Sequence, residues 1–135
     1  MALAAILLAV VFPSVGAGLR TLELRSAAER LAASARYARD QAVHRQRFYE
    51  LEIDPQAGTI TVTDFAGESR RSFELPGSVR VERILPEETR SESTRRFLFS
   101  PDGGSPAFEI ILGNDRRQAV VTSNPLTGFP RITEL

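Results

Sequence analysis

The first 47 residues constrain the fold most, because a single helical pattern passes from an apolar stretch into a charged one. Residues 1–12 (MALAAILLAVVF) are apolar without interruption, Pro13 follows, and residues 19–47 alternate charged and apolar side chains. A helix that reaches Arg47 is ~70 Å long. Because a chain of 135 residues needs no rod of that length for its own core, the pattern predicts an apolar anchor joined to an amphipathic stalk.

The stalk has one narrow apolar stripe. Its residues follow spacings that alternate between four and three, which keeps them on one helix face, and they are Leu24, Ala28, Leu31, Ala35, Ala38 and Ala42. Most are small and permit close approach of a packed element. We expect the part from Ala28 to Ala42 to form the seam between helix and sheet.

The anchor is predicted to carry a face for membrane and filament contacts, formed by Leu3, Ile6, Leu7, Val10, Val11, Phe12 and Pro13. Pro13 removes one helical hydrogen bond and is predicted to kink or end the helix. The apolar run of twelve residues is shorter than the ~20 residues that cross a bilayer.

The apolar run has two alternative interpretations. A signal peptide is one alternative, although no Arg or Lys precedes Arg20. A buried core helix is the other.

Beyond the stalk the apolar period changes from about 3.6 to 2, which is typical of strands. The segments Tyr49 to Ile53 and Thr59 to Phe65, joined by Asp54-Pro55-Gln56-Ala57-Gly58, predict a β-hairpin. A weaker second pair is Arg71 to Leu75 and Val79 to Ile84, with a break at Pro76-Gly77. Leu85 to Arg95 reads as a long surface loop.

Three further strands are predicted at Arg96 to Phe99, Ala107 to Leu112 and Gln118 to Thr122. Seven or eight short strands with short connections favour two packed antiparallel sheets. The predicted fold class is therefore α+β, with a long kinked N-terminal helix on a C-terminal domain of two antiparallel sheets. The domains are expected at 1–24, the protruding anchor, and 25–135, the globular head with the amphipathic half of the helix.

Charge is unevenly distributed although the formal net charge is zero. Residues 1–47 carry seven Arg against Glu23, Glu29 and Asp40, whereas residues 48–135 carry ten Arg against fourteen acids. The basic stalk and acidic head favour ordered docking between copies or relatives, and such charges set register more than affinity. The chain contains no cysteine, which excludes disulfides and thiolate metal sites.

Catalytic and metal sites find little support in the residues. His44 is the only histidine, and Asp40 at i−4 is expected to form a surface contact with it. No serine lies in a G-x-S-x-G context. The segment Ser100-Pro101-Asp102-Gly103-Gly104-Ser105 predicts a turn, because a calcium loop needs several carboxylates. We expect no catalytic residue, no metal site and no cofactor.

The order of these elements resembles the type IV pilin-like proteins, and most closely the minor pseudopilins of the GspH/FimT type. The N-terminal stretches that match are AILLAVVFPSVGAGL and LRSAAERLAASARYARDQAVHR, which leads into FYELEID. Those near the end are FLFSPDGGSPAFEIIL and VVTSNPLTGFPRI. The resemblance covers nearly the whole chain.

Family members begin with a basic leader, a glycine at the cleavage point, an aromatic residue that becomes methylated and a nearby glutamate. None of these precedes Pro13. Aligning Pro13 with the family's helix proline places about nine mature residues upstream of Met1. Either the start codon has been assigned too late or the sequence has been trimmed at its N-terminus.

The resemblance implies a non-enzymatic subunit at or near the tip of a type II secretion pseudopilus, which helps to export folded proteins across the outer membrane. The implied location is the bacterial inner membrane, single-pass, with the head in the periplasm. The implied partners are the major and minor pseudopilins of the same filament, the inner membrane before assembly, and secreted substrates.

Two other functions stay open. Some FimT-like minor pilins bind DNA during natural transformation through basic residues near the C-terminus, and the corresponding candidates are Arg116, Arg117 and Arg131, with Phe129 as a stacking ring. Three arginines neutralise few phosphates, so such binding would be weak and salt-dependent. A free periplasmic binding domain is the other reading, if the apolar run is removed.

Overall fold

The computed structural model describes residues 2–87 and 94–134, and it describes side chains from Gly18 onward. The chain begins with one helix, α1 (Ala2–Arg45), that continues through Pro13. It ends at a defined cap: Gln46 has a left-handed backbone (φ 54°), and the amide of Arg47 donates to the carbonyl of Ala42 (3.1 Å), as in a Schellman motif. Pro13 therefore does not end the helix, and the predicted kink stays a prediction.

Eight strands follow in the described part of the chain, and they form two antiparallel sheets of four strands each. The strands are β1 (Tyr49–Asp54), β2 (Thr59–Asp64), β3 (Arg70–Glu74), β4 (Arg80–Leu85), β5 (Arg95–Phe99), β6 (Phe108–Gly113), β7 (Gln118–Ser123) and β8 (Pro130–Glu134). The first sheet has the order β3-β2-β1-β5 and the second β4-β6-β7-β8. The predicted α+β fold with two antiparallel sheets is confirmed.

The predicted hairpin is present as β1 and β2, with Leu51 opposite Val62. The Asp54 side chain accepts from the backbone amides of Gln56 and Ala57 (3.1 Å each), and Gly58 takes a positive φ of 68°. These features are those of an Asx turn that closes with glycine.

The predicted second pair is wrong in its partners. β3 pairs with β2, whereas β4 pairs with β6 in the other sheet. Pro76 and Gly77 form a turn, in which the amide of Val79 donates to the carbonyl of Pro76 (2.9 Å). This turn carries the chain from one sheet to the other.

The loop predicted from Leu85 to Arg95 is described only in part, because residues 88–93 lie outside the described residues.

The core lies between α1 and both sheets. The helix packs on β1 and β2 of the first sheet and on β7 and β8 of the second. The largest fully buried side chains include Leu31 of the helix, Tyr49 and Phe99 of the first sheet, and Ile110 and Val121 of the second. The helix is the layer that both sheets share.

Candidate interaction surfaces

The face of α1 that meets the sheets is fully buried. Leu24 and Ala35 are each 3% exposed, and Ala28, Leu31, Ala38 and Ala42 are 0% exposed. The buried face is wider than the stripe seen in the sequence, because Ala27 and Ala32 are buried as well. A helix that touches two sheets buries more of its circumference than one that touches a single sheet.

The predicted face at Leu3, Ile6, Leu7, Val10, Val11, Phe12 and Pro13 lies on the continuous helix, but its side chains fall outside those that the structure describes. Over the described residues, no helical segment combines the length and the apolarity that a bilayer crossing requires. Leu19 and Leu22, which are the first apolar side chains described, are 55% and 60% exposed.

The helix meets the head first at what we call the proximal pole, formed by Arg20 and the β6–β7 turn (residues 114–117). Asn114 holds this junction. Its side-chain oxygen accepts from the amides of Arg116 (2.9 Å) and Arg117 (2.7 Å), and its amide group donates to the carbonyl of Arg20 (3.3 Å). A small cavity of about 130 Å³ lies at this junction and is lined by Arg20, Thr21, Asn114, Asp115, Arg116 and Arg117.

An ion pair near this pole joins helix and last strand. Arg25 Nε lies 2.7 Å from Glu134 Oε1. The hydrogen bond from Arg25 holds the pKa of the Glu134 carboxyl below its ordinary value, and Arg117 adds a weaker effect. Both side chains are about half exposed, so the pair contributes little stability but fixes β8 against the helix.

The opposite end, the distal pole, is formed by Arg39, Val43 and the loops 100–104 and 124–129. The Arg39 guanidinium lies 5.7 Å from the ring centroid of Phe129, and it approaches both Gly103 and Gly128. Leu126 and Phe129 are 93% and 57% exposed. Arg39 therefore lies between two loops, beside exposed apolar side chains, a position that the sequence did not indicate.

The three arginines of the DNA hypothesis do not form one patch. Arg116 and Arg117 lie at the proximal pole, whereas Arg131 pairs with Thr122 at the other end of β7 and β8. At ~3.3 Å per strand residue, Arg131 is ~16 Å farther along the sheet than Arg117. Phe129 lies at the distal pole with its ring under Arg39.

A groove of about 660 Å³ separates the helix from the edge strand β3. Arg30 lies 4.5 Å from the ring centroid of Phe73, and Arg71 lies 4.6 Å from that of Tyr37. Arg70 is exposed on the same strand. Arginines on an edge strand discourage pairing with another strand, and stacking on Tyr37 orders one of them, Arg71.

Among the described residues, no group of three or more His, Cys, Asp or Glu side chains is placed to hold a metal ion. The expected Asp40–His44 contact is not formed: the Asp40 carboxylate instead lies 3.8 Å from Arg39 Nη1, because Arg39 is the adjacent cation. Asp102 sits in the predicted turn, where the amide of Gly103 donates to the carbonyl of Ser100 (3.1 Å).

The fold is similar to solved structures of pilin-like proteins. The minor pseudopilin EpsH from the type 2 secretion system of Vibrio cholerae superposes with a TM-score of 0.65, at 13% identity, covering 82% of this chain and 96% of that one. The type IV minor pilin FimU of Pseudomonas aeruginosa superposes with a TM-score of 0.64, at 15% identity, covering 84% and 90%. At such identities these similarities establish the fold alone.

Sequence comparison gives the family. No curated protein sequence matched the chain. A family profile for the type II transport protein GspH, however, matches residues 27–127, from the buried half of the helix to the loop after β7. This match covers most of the chain and agrees with the resemblance inferred from the sequence. The chain belongs to the GspH family, whose members are structural, non-enzymatic minor pseudopilins of type II secretion.

Proposed function

We propose that the protein is a filament subunit at or near the tip of a type II secretion pseudopilus, where its head presents a recognition surface. The observation that carries this proposal is the division of α1. From Leu24 to Ala42 one face of the helix is buried against the head. The residues from Ala2 to Arg20 run ~27 Å along the axis up to the hydrogen bond between Arg20 and Asn114.

The division supports two roles for one helix. The first part, with the apolar face from Leu3 to Pro13, anchors the subunit in the inner membrane before assembly and packs among neighbouring stalks in the filament. The second part is internal to the head and fixes its orientation on the stalk. In this proposal residues 1–24 are the anchor and residues 25–135 are the periplasmic head.

The proposed partners are the major and minor pseudopilins of the same filament and, at the distal pole, another subunit or a secreted substrate. Leu126 and Phe129 are the candidates for that contact, because large exposed apolar side chains mark interaction sites when they cluster. Similarity to FimU also leaves a type IV pilus as the alternative machine. No cofactor is required for a mechanical role.

The absence of cysteine allows a direct test by site-specific cross-linking. Leu22→Cys and Leu126→Cys each place one thiol at an exposed position. In cells that assemble the secretion system, with single cysteines in the other pseudopilins, we expect Leu22→Cys to cross-link to neighbouring stalks and Leu126→Cys to a head partner. Arg70→Cys, on the edge strand β3, is the control and should give no cross-link. Cross-links confined to type IV pilus subunits would contradict the assignment to secretion.

A further inference from the structure

We propose that the proximal pole binds the phosphate of an anionic phospholipid, so that the head rests on the membrane surface before filament assembly. The proposal rests on the proposed function, because only an anchored helix brings this pole to the bilayer. Its basis is the small cavity at this pole, which is lined by Arg20, Thr21, Asn114, Asp115, Arg116 and Arg117.

The cavity is held in a fixed shape. Asn114 is 8% exposed. Its side-chain oxygen accepts hydrogen bonds from the backbone amides of Arg116 and Arg117, and its side-chain amide donates one to the carbonyl of Arg20. The turn that carries two of the arginines is therefore tied to the helix residue that carries the third. The enclosed volume of about 130 Å³ suits a single phosphate group, and guanidinium groups bind phosphate through paired hydrogen bonds.

Carboxylates around the pole are engaged by other groups. Asp115 pairs with Arg80 (3.3 Å) and Glu134 with Arg25 (2.7 Å), while Glu23 accepts from Ser78 and Glu82 from Gln118. By contrast, Arg20, Arg116 and Arg117 form no ion pair within residues 2–87 and 94–134. Arg20, Arg116 and Arg117 thus line a cavity in which the Asp115 carboxylate is already paired with Arg80, and this arrangement favours an external anion.

The position along the helix matches the membrane surface. Arg20 is the first charged residue of the chain, and it lies ~12 Å beyond Phe12 along the helix axis. Phe12 ends the apolar run, and the headgroup layer begins where the ~30 Å hydrocarbon core ends. Arginine side chains extend toward such a layer while their stems stay on apolar surface.

A lipid fits this site better than DNA does. A DNA backbone offers a row of phosphates and favours a continuous basic track, but Arg131 lies ~16 Å farther along the sheet than Arg117 by strand geometry. The cavity accepts one phosphate, and a bilayer surface offers single phosphates at the level of Arg20.

The test measures partitioning of the full chain into vesicles of phosphatidylcholine and into vesicles that also contain phosphatidylglycerol. Partitioning into phosphatidylcholine vesicles measures insertion of the anchor. The ratio of the partition coefficient with phosphatidylglycerol to that without it measures binding at the proximal pole. We expect a ratio of about a hundredfold for three arginines at an anionic surface. The variant Arg20→Gln/Arg116→Gln/Arg117→Gln should lose most of this ratio and keep its phosphatidylcholine value.

The matched control is Arg30→Gln/Arg70→Gln/Arg71→Gln, which removes the same charge from the groove beside β3. This control should keep the ratio. If both triple variants lost the ratio equally, net charge alone would explain the preference for anionic vesicles, and the proposal would be wrong. Failure to partition into either vesicle would instead contradict the anchor, and hence the proposed function. Thermal unfolding of each variant confirms that the fold is kept.

A second measurement locates the head and separates the sources of phosphate. Gly77→Cys, where an added side chain meets no atom within 4 Å, carries a fluorophore beside the pole. Lipids with brominated chains should quench it in vesicles with phosphatidylglycerol and not in the proximal triple variant. Displacement by millimolar inorganic phosphate, or by double-stranded DNA at equal phosphate concentration, would overturn the lipid assignment.

Discussion

The guanidinium of Arg39, on the helix, lies so close to Gly128 that a β-carbon at position 128 would overlap it. Gly128 also has a positive φ of 73°, a conformation that side chains disfavour. Two separate constraints thus meet at one glycine of the distal pole, and each is open to test.

Gly128→Ala is expected to destabilise the protein by about 1–3 kcal/mol, because both the strain at φ and the overlap with Arg39 must be relieved. Gly67→Ala is the matched control: its φ is 76°, but no atom lies within 4 Å of an added β-carbon. Urea unfolding should show the larger loss at position 128. Equal losses would mean that Arg39 moves aside without cost.

Leu31 lies in the middle of the buried seam and is 0% exposed. Leu31→Ala should lower the free energy of unfolding by about 2–5 kcal/mol, because it leaves a cavity between helix and sheets, and Leu31→Asp should prevent folding. Leu22→Ala is the control, since Leu22 is 60% exposed and should change stability by less than about 0.5 kcal/mol. Unchanged denaturation midpoints for both Leu31 variants would contradict the buried seam.

Removal of the anchor should yield a soluble, monomeric head, whereas the full chain should need detergent. Two truncations sharpen this prediction. Loss of residues 1–18 keeps Leu24, which is 3% exposed, and the contact between Arg20 and Asn114. A protein without residues 1–24 lacks both Leu24 and the contact between Arg20 and Asn114, and it should unfold at a lower temperature. Sedimentation and calorimetry provide the measurements, and a detergent-free monomer of the full chain would contradict the prediction.

Asp102 gives a prediction on pH. The hydroxyl of Ser100 and the amide of Gly104 lower the pKa of its carboxyl from the ordinary value of 3.8. Because the folded-state pKa is lowered, these bonds stabilise the turn above pH 3.8, and the stabilisation is lost as the pH falls through the folded-state value. Ser100→Ala should raise this pKa toward 3.8 in an NMR titration. Ser105→Ala, which removes a hydroxyl without a partner, should leave it unchanged.

The DNA hypothesis predicts that simultaneous replacement of Arg116, Arg117 and Arg131 by Gln abolishes binding. We expect instead that the unmodified protein shows negligible DNA binding near physiological salt and that the triple variant still supports secretion. Gel-shift titrations at several salt concentrations measure this directly. Tight binding that falls steeply with salt and vanishes in the variant would favour the DNA receptor.

Local patterns in the sequence predicted most elements of the fold. The apolar pattern placed β1, β2 and β7 to within one or two residues. Of these, β1 alternates strictly between buried and half-buried residues, whereas β2 and β7 each bury three consecutive residues. The pattern could not assign β3 and β4 to different sheets, since Pro76-Gly77 closes a hairpin and a crossover equally well. The eighth strand, Pro130–Glu134, has only one half-buried apolar residue, Ile132, and its pattern is correspondingly weak.

Surface features were harder to predict, because they join residues that are distant in sequence. Arg39 reads as an ordinary stalk cation, yet it lies beside Gly103 and Gly128. The stacking of Arg71 on Tyr37 spans 34 positions along the chain and leaves no local signal. The contact between Arg20 and Asn114, which organises the proximal pole, is invisible for the same reason.

The shared helix layer has a mechanical consequence. Within residues 2–87 and 94–134, no strand pairing joins the two sheets to each other, and both sheets pack on α1. A force applied along the helix axis therefore loads both sheets at the same time. That force acts on a row of close-packed alanines in shear, so many contacts must slide together before any one of them yields. A subunit pushed or pulled by its stalk would transmit the stroke to its whole head as one body.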